Sequence, residues 1–248
     1  MTQNLSLDEL WAMAPAARGA FRPEEIAHLP QAAQRYLAHA IAPGTPLASA
    51  VRLRMHGEIK LQGWFPFTAE QVIAWDRGFI WQATVRSFGL PIKGSDRLVD
   101  GQGAMQWRLL GLIPVMTASG PDIARSAAGR VAGEAMWLPS VLCDEGVAWT
   151  AVDDSRAEAT FTAHGETSSV AIAIDDKGGV ERTQLQRWGN PADGAFAYHA
   201  FGAIAAEERT FEGYTIPTQL RAGWYFGTER YEAEGEFFRA TIDGATFR

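Results

Sequence analysis

The sequence predicts a mainly β protein (α+β): a single highly curved antiparallel sheet or open barrel of about twelve strands, with N-terminal helices and a central helix packed in the concave face. Three observations predict it. Beyond residue 48 apolar residues recur with period two instead of 3.6. Turn residues divide these runs at the spacing of an all-β protein. Nine Trp and thirteen Phe in 248 residues supply enough apolar area for a thick β core or a cavity.

Residues 1–45 read as a helical N-terminal segment. Ser6 can cap a short helix carrying Leu7, Leu10 and Trp11, and Pro23 with Glu24 and Glu25 opens a second piece, as a helix start prefers. Pro30 has no N–H to donate, so the helix restarts there. From it Ala33, Tyr36, Leu37, Ala40 and Ile41 recur at helical spacing until Pro43 and Gly44 stop the run.

Residues 48–248 form the predicted curved sheet. Val51, Leu53, Met55, Ile59 and Leu61 share one face of the first strand, while Arg52, Arg54, His56, Glu58 and Lys60 share the other. Further strands are expected at 67–75, 79–86, 92–99 and 104–110, divided by Asp76 to Gly78, Gly89 to Pro91 and Asp100 to Gly103. One long helix is expected over residues 121–141, opened by Ser119, Gly120 and Pro121 and rich in Ala and Gly, so that it can lie close on a sheet. Strands then resume at 146–152, 156–163, 169–174, 180–188, 196–208, 214–226 and 229–242. No Pro/Ser-rich linker or composition shift divides the chain, which predicts one domain over 1–248.

Composition narrows the partners. A net charge of -7 without a Lys/Arg run argues against nucleic acid and against anionic membrane surfaces, both of which call for a basic patch. No window reaches the roughly 18 to 20 consecutive apolar residues of a membrane span. The N-terminus lacks a basic region followed by an apolar stretch, so a cytoplasmic location is expected. The one cysteine, Cys143, has no partner for an internal disulfide and reads as a buried thiol. No dinucleotide loop, phosphate cradle or nucleophile elbow occurs, and the five histidines are scattered, so neither a cofactor nor a metal is expected. The sequence leaves the oligomeric state open.

Three segments carry a resemblance: Leu29-Pro-Gln-Ala-Ala-Gln-Arg-Tyr-Leu37, Gly133-Glu-Ala-Met-Trp-Leu-Pro139 and Val147-Ala-Trp-Thr-Ala-Val-Asp-Asp154. In that order they resemble an uncharacterised bacterial family with an open barrel like those of the lipoprotein-localisation carriers (LolA/LolB-like). The resemblance implies a curved antiparallel sheet wrapped around helices with an apolar cavity. It transfers no catalytic residue.

Glu134 is the leading ionisable candidate, an acid inside the apolar run that ends at Pro139. Arg130 lies one turn earlier, so the pair reads either as an (i, i+4) surface bridge worth about 0.3 to 0.5 kcal/mol or, if Met136 and Trp137 face inward, as a desolvated acid suited to proton transfer. Arg187 shares a face with Leu185 and Thr183, where it either is solvated or projects inward to hold a ligand carboxylate or pair with Glu134. His199, beside Tyr198 and Phe201, is the histidine with aromatic company. His56 alternates with charged residues and reads as solvated, and Asp153 and Asp154 read as a hairpin turn. Trp81, Trp107, Met136, Trp137, Trp149, Trp188, Tyr198 and Trp224 are the expected apolar ligand contacts.

Two functions lead, ahead of a structural or regulatory partner protein, which a large exposed apolar patch in place of a cavity would favour. One is binding of a hydrophobic or aromatic small molecule in an apolar cavity, oriented by Glu134, Arg187 and His199. The other is a cofactor-independent lyase, isomerase or hydrolase acting on a hydrophobic substrate, with Glu134 as acid/base and Arg187 or His199 stabilising negative charge.

Overall fold

A computed structural model describes residues 5–191 and 194–248. Thirteen antiparallel strands form one sheet: β1 Ala50–Lys60, β2 Trp64–Ala74, β3 Gly78–Ser87, β4 Leu90–Val99, β5 Gln102–Leu109, β6 Ile113–Ser119, β7 Ala148–Asp153, β8 Arg156–Ala163, β9 Glu166–Ile174, β10 Val180–Gly189, β11 Ala197–Phe211, β12 Tyr214–Trp224 and β13 Glu236–Phe247. Their spatial order is β6-β5-β4-β3-β2-β1-β13-β12-β11-β10-β9-β8-β7. Two meanders therefore run outward from the β1–β13 pair at the centre, and β6 and β7 end the sheet without pairing with each other. The hydrophobic core lies along the concave face, where Val51, Leu53, Ile73, Phe79, Leu185 and Ile242 are buried at alternate positions.

Three helices accompany the sheet: α1 Leu7–Met13, α2 Gln31–Ala40 and α3 Pro121–Gly133. The capping box at Ser6 is present, with Glu9 N–H donating to the Ser6 hydroxyl and the Glu9 carboxylate accepting from Ser6 N–H. α2 buries Ala33, Tyr36 and Leu37 in the concave core. Its companion α1 departs from the expected concave position. Leu7 and Leu10 pack on Ala50, Val72, Ala74, Ile80 and Val99, which alternate with the concave residues and belong to the opposite face. Small and branched side chains there form an apolar strip that α1 keeps from water.

The central helix is shorter than expected. α3 stops at Gly133, and two 3-10 turns, Glu134–Trp137 and Pro139–Cys143, carry the chain on. Pro139 has no N–H for helical bonding, and the residue before a proline is pushed out of the helical region, as Leu138 is at φ -135 and ψ 62. α3 lies almost in contact with backbone. A methyl group at Gly103 would sit 2.5 Å from Ala124 Cα, and one at Gly129 would sit 3.0 Å from the Arg187 side chain.

An unexpected strand and a displaced one are the largest differences in the sheet, beside shifts of up to three residues such as β2 beginning at Trp64 and β11 ending at Phe211. β6 falls where no strand was expected: it holds Pro114, six of its seven residues are exposed, and it pairs on one side only, as an edge strand that tolerates proline does. The last strand starts at Glu236 because a π-helical turn, Tyr231–Gly235, occupies its expected beginning.

Candidate functional site

The concave sheet face and the inner side of α3 with its following turn enclose a cavity of about 320 Å³. Leu185 and Phe201, Leu220 and Trp224, and Phe238 supply much of the sheet wall, and Met136 and Trp137 close it from the 3-10 turn. This is the size and character of a small-molecule site, mostly apolar with a few convergent polar groups. A wider depression of about 770 Å³ lies elsewhere against β1 to β5, but polar side chains such as Arg54, Glu70, Lys93 and Arg108 dominate it.

Strand register assembles the polar groups. Leu53, Gln71, Trp81, Asp96 and Met105 are successive cross-strand partners on β1 to β5, so all five point to the concave face. Gln71 and Asp96 thus stand in an otherwise apolar row, directly beneath α3. Arg130 and Glu134, four residues apart, descend from above. Arg130 Nε donates to Glu134 Oε1 at 2.7 Å, and Gln71 Nε2 donates to Glu134 Oε2 at 2.5 Å. Arg130 Nη1 lies 3.4 Å from Asp96 Oδ2, its Nη2 donates to Gln71 Oε1 at 3.4 Å, and Trp107 Nε1 donates to Asp96 Oδ1 at 2.9 Å. The guanidinium also stands over the Phe79 and Trp81 rings, at 4.6 and 5.3 Å from their centroids. Burial pushes the Asp96 carboxyl above the usual carboxylate range, with the Arg130 cation and the Trp107 N–H pulling the other way.

Arg187 on β10 is held differently. Its stem passes beneath Gly129 and its Nε donates to the Ser126 carbonyl at 3.1 Å. Its guanidinium lies over Phe201 and Trp224, 4.6 and 4.9 Å from the centroids. Among the described residues it forms no ion pair, and its two Nη groups have no hydrogen-bond partner yet are not sealed in protein, so they face the cavity. Burial first, and then the Arg130 cation, hold its pKa below the usual arginine range, while Glu134 and Asp96 oppose the shift. Guanidinium is basic enough to stay charged at neutral pH even so.

The model of a family of unknown function, DUF6920, matches residues 27–247. The chain belongs to the DUF6920 family. No curated protein matches it. Among solved structures it is similar to a LolA superfamily protein from Nitrosomonas europaea, at 8% identity over 88% of this chain and 92% of that one, with a TM-score of 0.42. A Vibrio parahaemolyticus domain named as an outer membrane lipoprotein-sorting protein shows 9% identity over 81% and 86% of the two chains, with a TM-score of 0.42. A DUF1329 family protein from Desulfovibrio piger shows 11% identity over 81% and 86%, with a TM-score of 0.34.

In this DUF6920 chain the expected site residues fall into five places. Glu134, Arg187, Trp81, Met136, Trp137 and Trp224 border the cavity. Trp107 lies behind it, across Gly94, where its N–H holds Asp96. Trp149 packs near Tyr36 of α2, its N–H bonded to the Leu142 carbonyl at 3.1 Å. Trp188 and Tyr198 form a cross-strand pair one residue out of phase with Arg187 and His199, hence turned away from the cavity and met by the first turns of α3. There Arg125 stacks on both rings and pairs with Glu166, and Trp188 Nε1 donates to Asp122. His199 shares the concave face with Arg187, but its ring stands edge-on to Trp224 and Tyr225, outside the cavity lining.

The Arg130–Glu134 pair is the expected (i, i+4) bridge, yet it is no surface bridge: the side chains are 17% and 14% exposed. Asp153 occupies the expected turn, where Arg156 and the Ser155 N–H hold its pKa down, to about 2. His56 faces solvent beside Asp243, and burial pushes the Cys143 thiol up to about 12.

Gln71 and Asp96 are site residues that the sequence reading missed. Their signal was parity: Gln71 falls in phase with Phe67 and Ile73, and Asp96 with Ile92 and Leu98.

Proposed function

We propose that this protein binds a hydrophobic or aromatic small molecule in the cavity beneath α3. The carrying observation is a 320 Å³ space walled by Leu185, Phe201, Leu220, Trp224 and Phe238, with Asp96, Arg130, Glu134 and Arg187 as the ionisable groups of a mostly apolar lining. Occupying it with an apolar molecule removes that lining from water at no cost in protein hydrogen bonds. Glu134 supports binding over catalysis, because both its oxygens already accept hydrogen bonds from Gln71 and Arg130, leaving it poorly placed to exchange a proton with a substrate.

Ala203 lines the cavity and is 6% exposed, which makes it a place to fill the space from within. Wild-type protein should show a rise in Tm with decanol, and Ala203→Phe should retain the fold but lose that rise. Binding that survives the filled cavity, or no response of the wild type to any apolar compound in a thermal-shift panel, would count against the proposal.

A further inference from the structure

We infer that the molecule held in this cavity carries an anionic head, a carboxylate or phosphate, seated on Arg187. This rests on the proposed apolar binding and names the class of ligand: a single-chain amphiphile. Two charged side chains of the cavity, Glu134 and Asp96, are already engaged by Arg130, Gln71 and Trp107. Arg187 is not. Its Nε is bound to a carbonyl, its planar face is stacked on Phe201 and Trp224, and both Nη groups remain open toward the cavity. A guanidinium fixed in this way presents two parallel N–H donors, the geometry that matches a carboxylate or phosphate edge. The rings that orient it also form the wall along which an acyl chain would lie.

The test titrates the full chain with decanoate, decyl phosphate and decanol, following tryptophan fluorescence. Decanoate or decyl phosphate should bind about tenfold or more tightly than decanol, as a charge-assisted pair does, and whichever anion binds tighter identifies the head. Arg187→Met should erase that preference while keeping decanol binding, and Arg187→Lys should keep part of it. Equal affinity of the wild type for acid and alcohol, or a preference that survives in Arg187→Met, overturns the anionic head while leaving the apolar cavity standing. Failure of all three ligands to bind defeats the cavity reading itself.

A second, independent observation concerns the end of the sheet. Three hairpin tips, β1–β2, β3–β4 and β5–β6, point the same way, because antiparallel order brings every second turn to one end. They stand about 10 Å apart. Leu61, Phe88 and Leu90, and Leu110, Leu112 and Ile113 occupy these tips, more than half of the eleven exposed large apolar residues among those described. Among the described residues the exposed Arg86, Lys93 and Arg108 behind them form no ion pair, and segments 84–95 and 104–119 contain no Asp or Glu, so positive charge gathers here although the whole chain, at -7, argues against anionic membranes. Asn190, Pro191 and Phe196 border the cavity at this same end.

The geometry points to these tips as a contact surface for an anionic lipid bilayer. Separate apolar tips backed by cations suit a headgroup layer, which accepts each tip singly, whereas a protein partner would need one continuous patch. Wild-type chain should sediment with vesicles of mixed phosphatidylcholine and phosphatidylglycerol, less with phosphatidylcholine alone, and less in high salt. The exposed substitutions Phe88→Asp and Leu112→Asp together should abolish this, with decanol binding intact. Absence of sedimentation, sedimentation unchanged by the double substitution, or tips that instead hold two copies of the chain together in solution would each overturn it.

Discussion

Arg130 and Arg187 face the same cavity and stack on aromatic rings in the same way, but only Arg130 has its donors filled. Arg130 answers Glu134, Gln71 and Asp96, whereas Arg187 answers one carbonyl. The difference separates two uses of a buried cation. Where each guanidinium nitrogen meets an acceptor from the protein, the cation holds the helix to the sheet. Where donors are left facing a hollow, the acceptor comes from elsewhere, and the protein carries the desolvation cost until it arrives.

The largest expected effect breaks the filled side. Arg130→Ala leaves Glu134 and Asp96 buried without their shared cation, and should cost about 3 to 5 kcal/mol in denaturant unfolding. Gln71→Leu removes one donor from Glu134 Oε2 and should cost less, about 1 to 3 kcal/mol in the same experiment. Arg187→Met should come within about 1 kcal/mol of wild type or exceed it, because a desolvated cation gives way to an apolar chain of similar length. If Arg187→Met proved as damaging as Arg130→Ala, the contrast would vanish.

The smallest effect is one of pH. Burial raises Asp96 above its unfolded value of 3.8, so the folded chain takes up a proton before the unfolded chain does as pH falls. The contribution of this group is therefore greatest at low pH and is lost as pH rises through the raised folded pKa. Asp96→Asn should remove that slope from the difference between variant and wild-type stability curves measured from neutral pH down toward 4. An unchanged slope would show Asp96 to be solvated.

Much of the fold was legible because its strands are half-buried on a curved sheet. Period two alone placed Val51, Leu53 and Met55 on one face, and turn residues marked most hairpins. β6 escaped because an exposed edge strand has no buried face to print a pattern on its sequence. Position of α1 escaped for a related reason: Leu7 and Leu10 show an apolar stripe, but Ala50, Val72 and Ile80 read as part of continuous apolar runs, which do not say which side a helix will cover.

At the site, Glu134 and Arg187 stood out as charges in apolar company, and parity with Leu185 left Arg187 either solvated or inward, of which the structure has the inward position. The same parity excluded Trp188 and Tyr198, whose aromatic character outweighed their phase. Gln71 and Asp96 were hidden in plain view, polar residues inside strands already expected at 67–75 and 92–99, whose phase with the buried face was not counted.

The closeness of α3 to the sheet has one more consequence. At Gly103 and Gly129 the spacing between helix and strands is set by hydrogen atoms, so the ceiling of the chamber rests on the two smallest possible shims. One methyl at Gly103 would jack the helix upward and enlarge the chamber, whereas one at Gly129 would press on the Arg187 stem. Ligand size can therefore drift between relatives through residues that never meet the ligand.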